Sequence, residues 1–389
     1  MRSRTPLKIL SQLMVQQPQL IWLIIRNLVR KHLTVEFDYH FRKGFSKNPR
    51  QISLKITNRC NLRCEMCAQW GEAGYNFNRP KEEIDEAVPL EIYQRMVDEV
   101  APDRPIFYIW GGEPFLYPDL LPLLAYLKER NLTTTVVTNG LHLSNHAAKL
   151  VAMQLDGLLV SIDGPEKTHN RIRGWDQSYS HLLEGLSRIR EERHKARSVL
   201  PYIAVLITVS RHNMDQLVES FQAAAEAGAD VVICYYSWFT NPEIGRHHVA
   251  VMQKHFNLTP STWEGYLLPY DQIDGHLVAQ QVRQIKQRRW PFPYIFLPRL
   301  KIREIPRYYE EPAETFRYRR CAAPWLVTEI MPNGDVATCR DYPDYCTGNI
   351  AQDNLLSIWN NEHSRHFRTT LKGLEKLPMC ARCCGLMGY

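Results

Sequence analysis

Three cysteines within eight residues constrain this chain more than any other feature. Cys60, Cys64 and Cys67 stand in the run Cys60-Asn61-Leu62-Arg63-Cys64-Glu65-Met66-Cys67, at spacing C-x3-C-x2-C. The run before them, Ile52-Ser53-Leu54-Lys55-Ile56-Thr57, alternates apolar and polar residues and predicts a strand. Asn58 and Arg59 break the alternation, which puts the cysteines on a loop leaving the C-terminal end of that strand. Such a loop can curl three thiolates around one cubane iron–sulfur cluster. Three ligands for four irons leave one iron open to bind and reduce a small molecule. Other uses of thiols compete with this reading. Zinc wants a fourth ligand, and no histidine lies nearby. Disulfides need an oxidising compartment and would leave an odd cysteine.

Six more cysteines form a second group at the other end: Cys321, Cys339, Cys346, Cys380, Cys383 and Cys384. Cys234 lies alone in an apolar run and reads as a core residue. Two separated groups fit metal sites in a reducing cytoplasm better than a secreted disulfide framework. The formal charge of +7 falls to roughly +4 once a three-thiolate and a four-thiolate cubane are counted, at about −1 and −2. That mild balance does not call for nucleic acid.

With 389 residues the chain is long enough for two domains. Residues 1–48 read as a basic helical segment, with Leu7, Leu10, Leu13 and Met14 at helical spacing and a second helix over 20–33. This segment is expected to pack on the main domain; the alternative is peripheral contact with a membrane or a partner. Its apolar run 20–25 is too short to span a bilayer, and no signal peptide is evident, so the chain is expected to be cytoplasmic. Between 49 and 240, strands are predicted at 52–57, 106–110, 134–137, 157–162, 202–209 and 231–236. Helices are predicted at 90–100, 119–129, 145–154, 180–193 and 214–227. This alternation means an α/β fold with a parallel sheet. Residues 241–318 read as a bridging segment. There Arg288-Arg289-Trp290 could suggest nucleic-acid stacking, but a solvated linker face is preferred. Residues 319–389 carry the second cysteine group, with a hairpin turn at Pro332-Asn333-Gly334-Asp335.

The triad, with bulky Met66 before its last cysteine, resembles the signature of the radical S-adenosylmethionine (radical SAM) superfamily. Further motifs carry the resemblance. Gly111-Gly112-Glu113-Pro114 directly follows the second strand and is similar to the family's GGEP motif. Ser161-Ile162-Asp163-Gly164-Pro165, with His169 and Arg173 downstream, matches S-x-D-G-P-x4-H-x3-R, found in the branch with cysteine-rich C-terminal modules. Thr138-Asn139-Gly140 ends the third strand, where the family's T-N-G sits near the cofactor.

The resemblance implies a partial (β/α)6 barrel and a [4Fe-4S] cluster on Cys60, Cys64 and Cys67. It also implies S-adenosylmethionine (AdoMet) held by Gly111, Gly112, Glu113, Pro114, Thr138, Asn139, Ser161, Asp163 and Arg173. In the family, AdoMet is cleaved reductively to a 5′-deoxyadenosyl radical that abstracts hydrogen from substrate. A guanidinium fork suits the AdoMet carboxylate, which is the role expected of Arg173; a structural ion pair is the alternative. His169 is expected to pack or hydrogen-bond, and Asp163 to make a turn.

Cys321 and Cys339, with Gly334 between them, resemble the opening of SPASM and twitch modules, as do Gly348-Asn349-Ile350 and Ser357-Ile358-Trp359-Asn360. The C-x2-C-x5-C-x3-C run of a two-cluster module is missing. One auxiliary [4Fe-4S] cluster on Cys321, Cys339, Cys380 and Cys383 is therefore expected, in a small α+β domain. Cys346 and Cys384 are held in reserve, and zinc is the alternative metal. The implied electron donor is a flavodoxin or ferredoxin. The substrate is expected to be a peptide or protein; a small molecule of cofactor or natural-product biosynthesis is second. An iron–sulfur scaffold without radical chemistry is the non-enzymatic alternative. No catalytic acid or base is assigned.

Overall fold

The computed structural model describes residues 36–387. The helices expected over 7–14 and 20–33 lie outside the described residues. All six predicted strands form: β1 Gln51–Lys55, β2 Ile106–Trp110, β3 Thr134–Thr138, β4 Gly157–Ser161, β5 Tyr202–Thr208 and β6 Val231–Tyr235. Each pairs in parallel with the next, and the helices Leu90–Val100, Leu120–Glu129, Leu143–Ala152, Ser178–Lys195 and Leu217–Glu226 fall between them. Short parallel connections of this kind need crossover helices, and these cover one face of the sheet.

That face is apolar by alternation. Ile52, Leu54, Phe107, Ile109, Val136, Leu158, Val160, Val205, Ile207 and Cys234 are fully buried in the core. On β2 to β6 the opposite face is half-exposed at many alternate positions, including Tyr108, Trp110, Thr135, Val137, Leu159, Ser161, Leu206, Thr208, Ile233 and Tyr235, whereas on β1 Ser53 and Lys55 are fully buried on that face. A period of two thus divides β2 to β6 between a helix-covered core and an open face.

Two features go beyond the six-strand expectation. The segment read as a bridge supplies β7, Tyr294–Leu297, which pairs in parallel with β6, and the helices Pro242–Phe256 and Gly275–Gln287. Its aromatic stretch packs inward: Trp290 lies 5.2 Å from the Phe221 ring and 6.0 Å from Phe292. This packing accounts for the aromatics without nucleic-acid stacking.

At the other edge, β8 Val327–Ile330 pairs in parallel with β1, and the antiparallel strands β9 Asp335–Ala337 and β10 Cys346–Asn349 follow. Gly334, at φ +89°, makes the predicted turn between β8 and β9. One ten-stranded sheet results, in the order β10-β9-β8-β1-β2-β3-β4-β5-β6-β7. Its outer strands β10 and β7 do not pair with one another, so the barrel is partial.

The described part of the N-terminal segment packs on the C-terminal module. Tyr39 lies 4.7 Å from the Trp325 ring, Ser46 Oγ donates to the Trp325 carbonyl at 2.9 Å, and Arg368 donates to the Gly44 carbonyl at 3.1 Å. No helix among the described residues is long and apolar enough to cross a membrane.

Candidate functional site

The cysteine loop leaves the C-terminal end of β1, and the turn after β2 lies directly against it. Gly112 N donates to the Thr57 carbonyl and Glu113 N to the Arg59 carbonyl, both at 2.8 Å. A Cβ on Gly111 would stand 2.5 Å from the Thr57 oxygen, and one on Gly112 only 2.1 Å from the Arg59 oxygen. The close approach that requires both glycines is therefore to the backbone of the cysteine loop.

Glu113 has partners within the chain. Its carboxylate is fully buried, accepting from Thr138 Oγ1 and Asn139 N at 2.8 Å and from Phe115 N at 3.1 Å. Burial pushes it up to about 7 against these three donors. Thr138 and Asn139 thus act first by tying β3 to the turn after β2. Asn139 also donates to Asn61 Oδ1 at 2.8 Å, reaching the cysteine loop itself. Among the turn's carbonyls, that of Gly111 accepts from Gln69 Nε2 at 2.9 Å and that of Glu113 from Leu116 N at 3.0 Å. Pro114 is buried and opens a single helical turn.

The third side of the loop is closed by the helix Glu166–Arg173. Glu65 N donates to the Ile172 carbonyl at 3.0 Å, and a Cβ on Gly174 would meet the Arg63 carbonyl at 3.0 Å. Arg173 forms an ion pair with the fully buried Asp163 and donates to Cys64 Sγ at 3.6 Å. Asp163 does more than make a turn, because its other oxygen accepts from Thr208 N at 3.1 Å. The Nε of Arg173 is buried without a partner among the described residues, so the guanidinium keeps donor capacity beside the cysteines. His169 accepts from Asp163 N at 3.3 Å, a structural contact. Ser161 ends β4 on the open face.

Two groups escaped sequence reasoning. Glu65, inside the triad, forms an ion pair with Arg211 on the loop after β5 and lies against His212 Nε2, whose imidazole burial pushes down. Beside them, Met66, Val209, Phe239 and Tyr270 line an apolar cavity. A carboxylate between two cysteines of the motif was the available signal. Lys55, the last residue of β1, is fully buried, with one hydrogen bond to Tyr75 Oη at 3.3 Å. Burial pushes it down to about 7. A polar residue in an alternating strand carries no mark of such burial.

The second cysteine group is assembled from distant segments. Cys321, Cys339, Cys380, Cys383 and Cys384 line one cavity, with Asp341 among them. Cys346 lies outside it, exposed on β10 with its Sγ 3.6 Å from the Pro343 carbonyl, and so drops from the reserve. Cys384 is engaged differently from the rest. Its thiol lies 3.4 Å from Asp341 Oδ1 and its N–H donates to Oδ2 at 3.0 Å. Cys383 Sγ accepts a backbone N–H from Gly385 at 3.2 Å, while the neighbouring Cys384 thiol and burial push Cys383 well above the usual thiol range. The expected ligands Cys321, Cys339, Cys380 and Cys383 share the cavity with Cys384, and Asp341, Cys383 and Cys384 bring their ligand atoms within 4.8 Å of one another.

Burial pushes the Cys60 and Cys321 thiols up to about 12, so binding a metal core there must displace protons. Tyr342 Oη and His248 Nδ1, both buried in the wall of the C-terminal cavity, find no partner among the described residues. A thiol-lined cavity with spare donors fits an iron–sulfur cluster.

An open α/β sheet with a three-cysteine loop at its strand ends, joined to a cavity lined by five cysteines, places thiols at two separate sites suited to iron–sulfur clusters. Comparison with known proteins agrees. The profile of the radical SAM superfamily matches residues 54–224, and that of the SPASM iron–sulfur cluster-binding domain matches residues 321–384. The chain is 30% identical over 197 residues to an AdoMet-dependent heme synthase of Methanosarcina barkeri; the match covers 50% of this chain and 51% of that protein, about half its length. It is 27% identical over 360 residues to an Fe-coproporphyrin III synthase of the same organism, covering 87% of this chain and 82% of that protein. Its fold is shared with Streptococcus suis SuiB bound to precursor peptide SuiA, at TM-score 0.62 and 17% identity, over 91% of this chain and 74% of that one. The chain belongs to the radical SAM superfamily and carries a C-terminal SPASM domain. It is an AdoMet-dependent enzyme with a [4Fe-4S] cluster and an auxiliary iron–sulfur site.

Proposed function

We propose that the enzyme removes a hydrogen atom from a carbon of a peptide or protein held on the open face of the sheet, between the two cysteine sites. One observation carries this. Arg340, next in sequence to Cys339, lies over the open face: its guanidinium is 4.3 Å from the centre of the Tyr108 ring and pairs with Glu329 at 3.5 Å. The C-terminal cysteine site thus reaches onto the strands from which the N-terminal cysteine loop departs.

Bound together, the N-terminal cluster and AdoMet supply the 5′-deoxyadenosyl radical. Cys60, Cys64 and Cys67 hold that cluster in this reading, and the carbonyls after β2 receive the AdoMet ammonium. Arg173 takes the carboxylate, and Ser161 faces the same space. The low-potential electron comes from a flavodoxin or ferredoxin. A peptide substrate is supported by the shared fold of SuiB, whose structure holds its precursor peptide. A second reading, modification of a tetrapyrrole or another small molecule, is favoured by the long match to the Fe-coproporphyrin III synthase.

Deuterium transfer separates the two. Purified enzyme, dithionite and AdoMet are incubated with the peptide fraction, or with the small-molecule fraction, of cells grown in deuterated medium. Deuterium in 5′-deoxyadenosine from the peptide fraction alone is the expected result. Transfer from the small-molecule fraction alone would establish the second reading instead.

A further inference from the structure

The C-terminal cavity contains more than thiols. Two polar side chains in its wall are buried without partners among the described residues: the hydroxyl of Tyr342 and Nδ1 of His248. Tyr342 is 8% exposed and His248 only 2%. They come from different parts of the chain. Tyr342 follows Cys339 by three residues, inside the SPASM domain. His248 sits on the helix Pro242–Phe256, outside the SPASM match, and its ring centre lies 6.0 Å from that of Tyr342.

A buried polar group with no partner is costly, so two in one cavity wall call for a common acceptor. The cavity's other lining is rich in acceptors once its thiols are ionised. Thiolate and sulfide sulfurs accept hydrogen bonds and cannot donate them. Burial pushes the His248 imidazole down to about 4, so near neutral pH it carries a single N–H. Nδ1 is the ring nitrogen buried without a partner among the described residues, and a proton placed there can be donated to an acceptor in the cavity.

We propose that Tyr342 and His248 donate hydrogen bonds to the sulfurs of the auxiliary cluster and thereby raise its reduction potential. The proposal rests on the reading that this cavity holds a cluster on Cys321, Cys339, Cys380 and Cys383. Its physical basis is general. A reduced cluster carries one more negative charge on the same sulfurs, so a donor aimed at them stabilises the reduced form more than the oxidised form. The role is a positioning and tuning one, since neither side chain is a ligand. It also gives the helix Pro242–Phe256 a function, by closing the C-terminal site with a group from outside the SPASM domain.

The test is an EPR-monitored redox titration of the full chain, reconstituted anaerobically, comparing wild type with Tyr342→Phe and His248→Leu. Tyr342→Phe removes only the hydroxyl and keeps the ring packed against Tyr266, 5.1 Å away. Each variant is expected to hold the same iron as wild type and to shift the auxiliary couple about tenfold toward the oxidised state. For one electron that is a fall of 59 mV. The N-terminal cluster's potential should not move, which provides the internal control.

Unchanged auxiliary potentials in both variants, with full iron, would overturn the proposal and assign the two groups to solvent. Loss of the auxiliary cluster from both would overturn it too, making these residues necessary for assembly. If wild type itself holds only the N-terminal cluster's iron, the underlying reading of the cavity fails, a different outcome from failure of the tuning role.

Discussion

The two cysteine sites are built in opposite ways. The N-terminal site takes its three cysteines from eight consecutive residues, and all three are partly exposed. The C-terminal site gathers five thiols from residues 321 to 384, three of them buried, and borrows a wall from the helix Pro242–Phe256. A short loop leaves a cluster one ligand short and open to a co-substrate. A cavity walled by several elements instead gathers five thiols. The difference teaches that ligand count and exposure go together here: the open site suits bond-breaking on AdoMet, and the closed one suits holding or passing an electron.

Removing one site at a time breaks this comparison most directly. Cys60→Ala with Cys64→Ala and Cys67→Ala should abolish 5′-deoxyadenosine release with dithionite and AdoMet. It should lower iron from about eight per chain to about four. Cys321→Ala with Cys339→Ala should keep substrate-free AdoMet cleavage, provided circular dichroism shows native helix content. AdoMet cleavage lost in the second variant and kept in the first would reverse the assignment of the two sites.

Arg173 sharpens the description of the open site, because the structure gives it two partners already. Arg173→Ala leaves Asp163 as an uncompensated buried carboxylate, which should cost roughly 3–5 kcal/mol of stability. Adding Asp163→Asn should restore much of that. AdoMet affinity, read by calorimetry on the reconstituted protein, should stay roughly ten- to hundredfold weaker in both variants. Recovery of affinity together with stability would reduce Arg173 to a structural ion-pair partner.

The closed site is sharpened by its surplus thiols. Cys346→Ser and Cys384→Ser should each retain about eight irons, whereas Cys383→Ser should lose the auxiliary four. The reverse pattern between Cys383 and Cys384 would move the ligand role to the thiol beside Asp341.

The smallest effect concerns Lys55, buried next to the open site. Its native state loses its proton near pH 7, whereas an unfolded lysine holds one to above pH 10. Over that window the unfolded chain binds more protons, so this position's contribution to stability rises with pH, by on the order of 1 kcal/mol per unit. Urea unfolding of cluster-free protein from pH 7 to 8.5 should show wild type gaining on Lys55→Met. Parallel pH dependence in the two proteins would mean that Lys55 stays charged and finds a partner.

Much of this molecule is written locally in its sequence. The six strands, their helices and the turn at Gly334 follow from periods of two and 3.6 and from glycine's freedom, which act within a few residues. The N-terminal triad is legible for the same reason, since one loop holds all its ligands. Other features depend on segments distant in sequence meeting in space. The pairing of β8 with β1 turns two expected domains into one sheet. Gly111 and Gly112 are fixed by the cysteine loop's backbone, and Glu113 by the end of β3. Which of six C-terminal cysteines share a cavity, and that His248 joins them, also waited on tertiary structure. Spacing records how far apart residues lie along the chain. Burial and hydrogen-bond partners are set by which elements pack together, and packing answers to the whole chain at once.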